Sequence, residues 1–296
     1  MSHALGTVTT KEGRTAPVKF PPFALLGLVW AASLSGASET ATQRTLKGIV
    51  ERQKILLAQA ARTDDKLDEG SLKVQLTQLT HEYQLLLLNA PDFAEAYASY
   101  GYLLSKLNLN SEAMKQLLKA DHLDPNIALV KNQLGNVLAE GGKPLEAINY
   151  FQAAEQLEPA EPLYHYQVGL VLYEGRDEFL AKGGFTQDQL AAQSHEEFGR
   201  AAQLAPKEEA YAYRYAESFY DLPHPDWEEA FHAWSELEAK AGGTVERQTM
   251  MLQEANVRLK QGRADQARSI MDRVTEPALL KQKEKLVAQL ALNARK

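Results

Sequence analysis

The chain contains no cysteine. Disulfides, thiolate metal sites and cysteine nucleophiles are therefore excluded, and a lipid-modified cysteine near the N-terminus is excluded with them. The absence is compatible with an oxidising compartment without identifying one. Positive charge is in deficit: 32 Lys and Arg against 39 Asp and Glu leave a net charge of −7. No long basic run offsets this, so nucleic acid and anionic membrane would be repelled. Three catalytic signatures are missing, namely G-x-S-x-G, H-E-x-x-H and the phosphate loop G-x-x-x-x-G-K-[ST]. Alternating apolar and polar residues of any length are also missing, which argues against strands.

The N-terminus reads as an address. Lys11, Arg14 and Lys19 precede the uncharged apolar run Phe20 to Leu34, and small residues follow at Ser35 and Ala37. This is the layout of a secretory signal, with cleavage expected after Ala37. The run of about 15 residues is short for a spanning helix, which needs about 20. A retained membrane anchor is the alternative, and a plain tail a third. Loss of residues 1–37 removes three positive charges and Glu12, leaving −9. The expected location is periplasmic or secreted, with contact to a membrane only if the segment is retained.

What the chain does have is a period. Gly101, Gly135 and Gly169 are spaced by 34, as are Pro125 and Pro159. Ala113 and Ala147, Ala120 and Ala154, Leu104 and Leu138, and Leu117 and Phe151 share that spacing. Self-similarity at this length is the mark of a stacked array, in which a helical hairpin buries its faces only against its neighbours. Small residues let paired helices cross closely, and proline closes the second helix of each unit.

The pattern resembles the tetratricopeptide repeat: Tyr97, Tyr100-Gly101, Leu104, Ala113, Leu117, Ala120 and Pro125, then Leu134-Gly135, Leu138, Ala147, Phe151, Ala154 and Pro159. Lys131 departs from it at the first aromatic position of the second unit. The resemblance implies an all-α, right-handed superhelical solenoid of helix-turn-helix repeats. The expected division is a signal or anchor over 1–37, a degenerate helical hairpin over 38–90, repeats over 91–275, and a C-terminal capping helix over 276–296. The repeats are expected at 94–127, 128–161, 162–208, 209–243 and 248–275. The third carries an insertion near 176–189. There Arg176, Asp177, Glu178, Phe179 and Phe185 could form a partner lip, or Phe179 and Leu180 could fold back on the array. Thr186 with Gln189 is a capping-box signature, and Asp226 is a good cap for a helix of the fourth unit.

In this family the first helix of each unit lines a concave face. The aligned positions make Tyr102, Asn132, Asn136, Tyr166, Gln167, Tyr173, Tyr213, Arg214, Glu217 and Tyr220 the candidate partner-binding set. Tyr offers apolar area with a polar tip, and amides pair with any peptide backbone. The resemblance therefore implies a non-catalytic scaffold that binds a protein or extended peptide, in envelope or secretion-complex assembly. A sugar-binding solenoid of a polysaccharide export system is the alternative, and tyrosines packed between units without a ligand are another. One subclass grips a C-terminal carboxylate. Here its slots hold Asn132, Asn136, Gln167, Ala210 and Arg214, and both its lysines are missing. Catalytic residues, metal and cofactor are not expected. His122 and His165 read as packing or surface. His195 and Glu196 are adjacent and so point about 100° apart on a helix.

Overall fold

The computed structural model describes residues 40–61 and 69–293, all of whose regular structure is helical. They fall into two compact units that part between Pro91 and Asp92. The proposed signal and its cleavage site lie outside the described residues. Among those described, no helix is long and apolar enough to cross a membrane.

The first unit is a hairpin of α1 (Ala41–Ala60) and α2 (Glu69–Asn89). Thr40 starts α1 with a capping box, in which its hydroxyl accepts from the Gln43 amide and the Gln43 side chain accepts from the Thr40 amide. Glu69, Gly70 and Ser71 are polar enough to read as linker, yet they already belong to α2; the Glu69 carboxylate suits a first helical turn. Leu46, Ile49, Val50 and Leu56 are buried with Leu79, Tyr83 and Leu86. Tyr83 donates its hydroxyl to Gln53 Oε1 at 2.6 Å, and the Arg52 guanidinium forks onto Glu82.

The second unit stacks helix pairs. The first three are α3 (Ala94–Lys106) with α4 (Asn110–Leu123), α5 (Ala128–Glu140) with α6 (Pro144–Leu157), and α7 (Pro162–Glu174), which after the short α8 (Arg176–Lys182) pairs with α9 (Gln187–Leu204). Then follow α10 (Glu209–Ser218), prolonged by a 3-10 turn over Phe219–Asp221, and α11 (Trp227–Lys240). The last pair is α12 (Thr244–Lys260) with α13 (Ala264–Asp272). Finally α14 (Leu280–Asn293) lays Leu286 and Leu290 onto Met251, Leu252, Ala255 and Met271, covering the apolar end of the array.

The 34-residue period is steric. A β-carbon at Gly101 would sit 2.7 Å from Leu117, one at Gly135 2.6 Å from Phe151, and one at Gly169 2.8 Å from Phe198. These are closer than carbon atoms approach, so only hydrogen fits where the second helix crosses the first. From the other side Ala113, Ala120, Ala147, Ala154 and Ala201 are fully buried. In the fourth pair Ala216 replaces the glycine, and it too is fully buried. The turn inside three pairs needs one left-handed residue, supplied by Asn108, Gly142 and Gly262 at φ 59°, 72° and 73°.

The insertion folds back. Phe179 on α8 is buried with Leu138, Phe151, Val168 and Leu190, and Leu180 and Phe185 pack at its edge. Gly183, left-handed at φ 78°, ends α8, and the Thr186–Gln189 capping box starts α9. Asp226 caps α11 by accepting from the Glu228 and Glu229 amides.

Candidate partner-binding groove

Along one helix, positions three and four apart share a face. Tyr102 on α3, Asn132 and Asn136 on α5, Tyr166 and Tyr173 on α7, and Tyr213, Glu217 and Tyr220 from α10 into its 3-10 turn thus form a stripe crossing successive first helices. Those helices touch along a row, α3 on α5 and α5 on α7, whereas the second helices form no comparable row. An array packed tightly on one side and splayed on the other is hollow on the tight side.

Three charged residues stand at the stripe's edge. Lys106, Glu140 and Glu174 all reach solvent. Yet loss of water around them pushes Lys106 below its ordinary value, with the Glu140 charge opposing, and pushes Glu174 above its own, with Arg214 opposing. These three residues escape a motif-based reading, although each stands five places after a packing glycine and so shares the 34-residue spacing.

The ten expected residues divide by depth. Tyr102, Asn136, Tyr173, Tyr213, Arg214, Glu217 and Tyr220 are half-buried. Asn132, Gln167 and Tyr166 are only 1%, 4% and 9% exposed, so they form the floor rather than the lip. Both amide atoms of Asn132 and the Ser99 hydroxyl lack hydrogen-bond partners among the described residues. Several aromatic members also pack within and between helix pairs. Tyr166 lies 4.9 Å from Tyr211 and 5.7 Å from Phe198, Tyr213 meets Trp234 edge-on at 5.1 Å, and the Tyr220 hydroxyl donates to the Gln253 carbonyl.

Arg214 is already engaged. Its guanidinium pairs with Glu217 and lies 3.8 Å from the Tyr173 ring centre and 4.9 Å from that of Phe198. Glu217 holds the guanidinium in its charged form against the cost of burial. A ligand carboxylate would have to compete with that neighbour, which argues further against a grip on a chain terminus. His195 is packing: its Nδ1 is 2.8 Å from the Ser218 hydroxyl, and its ring stacks on Tyr215 and meets Phe219 edge-on. Burial lowers its tendency to take a proton.

Residues 94–127 match the tetratricopeptide repeat family. No curated protein matches the chain in sequence. Several solved structures match it in shape. One is YrrB, described as a TPR protein with an unusual peptide-binding site, at 16% identity over 72% of this chain and 97% of that one, with a TM-score of 0.54. Another is pilF of Pseudomonas aeruginosa, at 17% identity over 87% and 100% of the two chains, with a TM-score of 0.57. A third is the Naa15/Naa10 complex bound to HypK-THB, at 13% identity over 86% of this chain and 35% of that one, with a TM-score of 0.54. At these identities the likeness is one of fold. Together with the glycine-packed helix pairs, it gives the second unit a TPR-like helical-repeat fold, in which residues 94–127 carry the matched repeat.

Proposed function

We propose that the second unit is a non-catalytic scaffold whose hollow face binds a protein or an extended peptide. The observation that carries this is the row of first helices, α3 on α5 and α5 on α7, with Tyr102, Asn136 and Tyr173 half-buried along it. It offers the Tyr102 ring and the Asn136 amide, both half-buried, over a buried Asn132 amide that has no hydrogen-bond partner among the described residues. A peptide backbone needs such a donor and acceptor pair whatever its sequence. Solved structures of the same fold include a TPR protein described as having a peptide-binding site. Glu140, Glu174 and Glu217 outnumber Lys106 and Arg214 along the stripe, and Arg214 is spent on Glu217. A ligand segment bearing Lys or Arg suits that balance better than a free carboxylate. The apolar run Phe20 to Leu34 behind a basic lead supports export, and with export a role in assembling an envelope or secretion complex.

The test is capture of partners from an envelope extract, followed by titration of a basic peptide from the captured protein at low and high salt. Tyr102→Ala with Asn136→Ala should weaken binding at least about tenfold, and Glu174→Lys should weaken it most at low salt. Affinity unchanged by both would overturn the groove reading, as would binding to oligosaccharides that basic peptides do not displace. Sequencing of the exported protein's N-terminus should find Ser38.

A further inference from the structure

The Glu155, His165 and Glu197 side chains converge from three helices, α6, α7 and α9. Their ligand atoms all lie within 4.8 Å of one another. His165 Nδ1 stands 2.8 Å from Glu197 Oε2 and 3.5 Å from Glu155 Oε1. The other ring nitrogen, Nε2, is 2.9 Å from the Pro159 carbonyl. A carbonyl only accepts, so Nε2 carries a proton. In a neutral ring, Nδ1 then presents its lone pair to two carboxylates, an arrangement that repels unless something positive stands between them. That oxygen is available because α6 has already ended at Leu157 and Pro159 leads into the next unit.

We propose that Glu155, His165 and Glu197 form a binding site for a divalent transition-metal ion, Zn²⁺ foremost, that pins the second repeat to the third. Ligands about 2 Å from a tetrahedral ion stand roughly 3.3 Å apart, and the separations of 2.8 and 3.5 Å bracket that edge. Imidazole nitrogen with carboxylate oxygen is a zinc-type donor set, and three protein ligands leave the fourth position to water. The Nε2–H bond to a backbone carbonyl is the outer contact that fixes a ligating ring's tautomer and orientation. His165 is 6% exposed while the Glu155 and Glu197 side chains are 24% and 22% exposed, so the nitrogen is held rigid while the carboxylates keep a path for the ion. A dication facing the Nδ1 lone pair would satisfy both carboxylates at once. The site spans a joint between repeats, so occupancy would stiffen the groove beside it.

The experiment uses the full chain without an affinity tag, stripped with EDTA and titrated with zinc chloride near neutral pH by calorimetry, with circular-dichroism melts in parallel. One zinc per chain and a raised melting temperature are expected. Glu197→Gln and Glu155→Gln should each weaken binding at least about tenfold, since even supporting contacts around a metal cost that much. Cobalt added to the stripped protein should show the visible absorption of tetrahedral Co²⁺. His232→Ala, which removes an exposed histidine-carboxylate pair on α11, should change nothing. Absence of zinc uptake, uptake by both glutamine variants equal to that of the parent, or uptake abolished by His232→Ala would each overturn the proposal. Should one glutamine variant fail to fold, the other and the cobalt spectrum of the parent still decide it.

Discussion

Two helical hairpins of this chain reach a packed state by different means. In α5 and α6 the helices cross at Gly135, where a β-carbon would lie 2.6 Å from Phe151. In α1 and α2 the one glycine of α1, Gly48, faces open space, and the longer helices are joined by leucines and by two polar links, Tyr83 to Gln53 and Arg52 to Glu82. Close crossing demands a small residue at one fixed place, so it leaves a period in the sequence. Packing at larger separation spreads its contacts along the helices and leaves none. The first hairpin therefore has the outline of a repeat without its signature.

Substitution of the two glycines sharpens the contrast most. Gly135→Leu should cost about 3 kcal/mol, because Phe151 is fenced in by buried neighbours, and a urea titration would show it. Gly48→Leu should instead gain about 0.5 kcal/mol from helix propensity, seen as slower amide exchange in α1. Equal effects at both positions would erase the distinction.

Buried polar groups give the next largest effect, because the repeats and the hairpin treat them differently. Glu254 on α12 is 4% exposed, and its carboxyl is pushed up to about 7, by burial first and the Glu238 charge second, with Ser235 and Arg273 pulling back. In the unfolded chain the same group ionises near 4.5. The fold thus binds a proton that the unfolded chain has lost: its stability is full below about pH 4.5 and falls as pH rises through 7. Glu254→Gln should flatten that decline and gain on the order of 2 kcal/mol at about pH 8, measured by denaturation across pH. A slope unchanged by the substitution would contradict this. In the hairpin the polar pair is satisfied. Tyr83→Phe should cost about 1–2 kcal/mol by stranding the buried Gln53 oxygen, and should speed amide exchange in α1 and α2 roughly tenfold.

Legibility followed the same division. The repeats and the residues that share one face of each first helix were readable, because both depend on spacing along single helices. Depth was not: the stripe rule puts Asn132 and Asn136 on one face, but only the stacking of neighbours buries the first and leaves the second half-exposed. Arg214 could be placed in the groove, whereas its engagement by Tyr173 and Phe198 depends on two other helices. The His165 cluster was hidden for a similar reason. Glu197 lies 32 residues away in sequence, across an insertion that breaks the period, and the Pro159 carbonyl that orients the ring has no side-chain signature.

The smallest effect tests the period where it shows least. The turns of the first, second and fifth pairs share a left-handed residue, and only the first uses a residue other than glycine, Asn108 at φ 59°. Asparagine tolerates that region better than other side-chain-bearing residues, but a strain remains that glycine lacks. Glycine in turn loses more freedom on folding, so Asn108→Gly should change stability by no more than about 0.5 kcal/mol. Asn108→Val has no such compensation, since a β-branched side chain is a poor fit to positive φ, and should cost about 1–2 kcal/mol. Denaturant midpoints of the two variants against the parent measure both. If valine were accepted as readily as glycine, the turn would not need its left-handed residue, and the shared position of Asn108, Gly142 and Gly262 would be a coincidence of sequence rather than a requirement of the crossing helices.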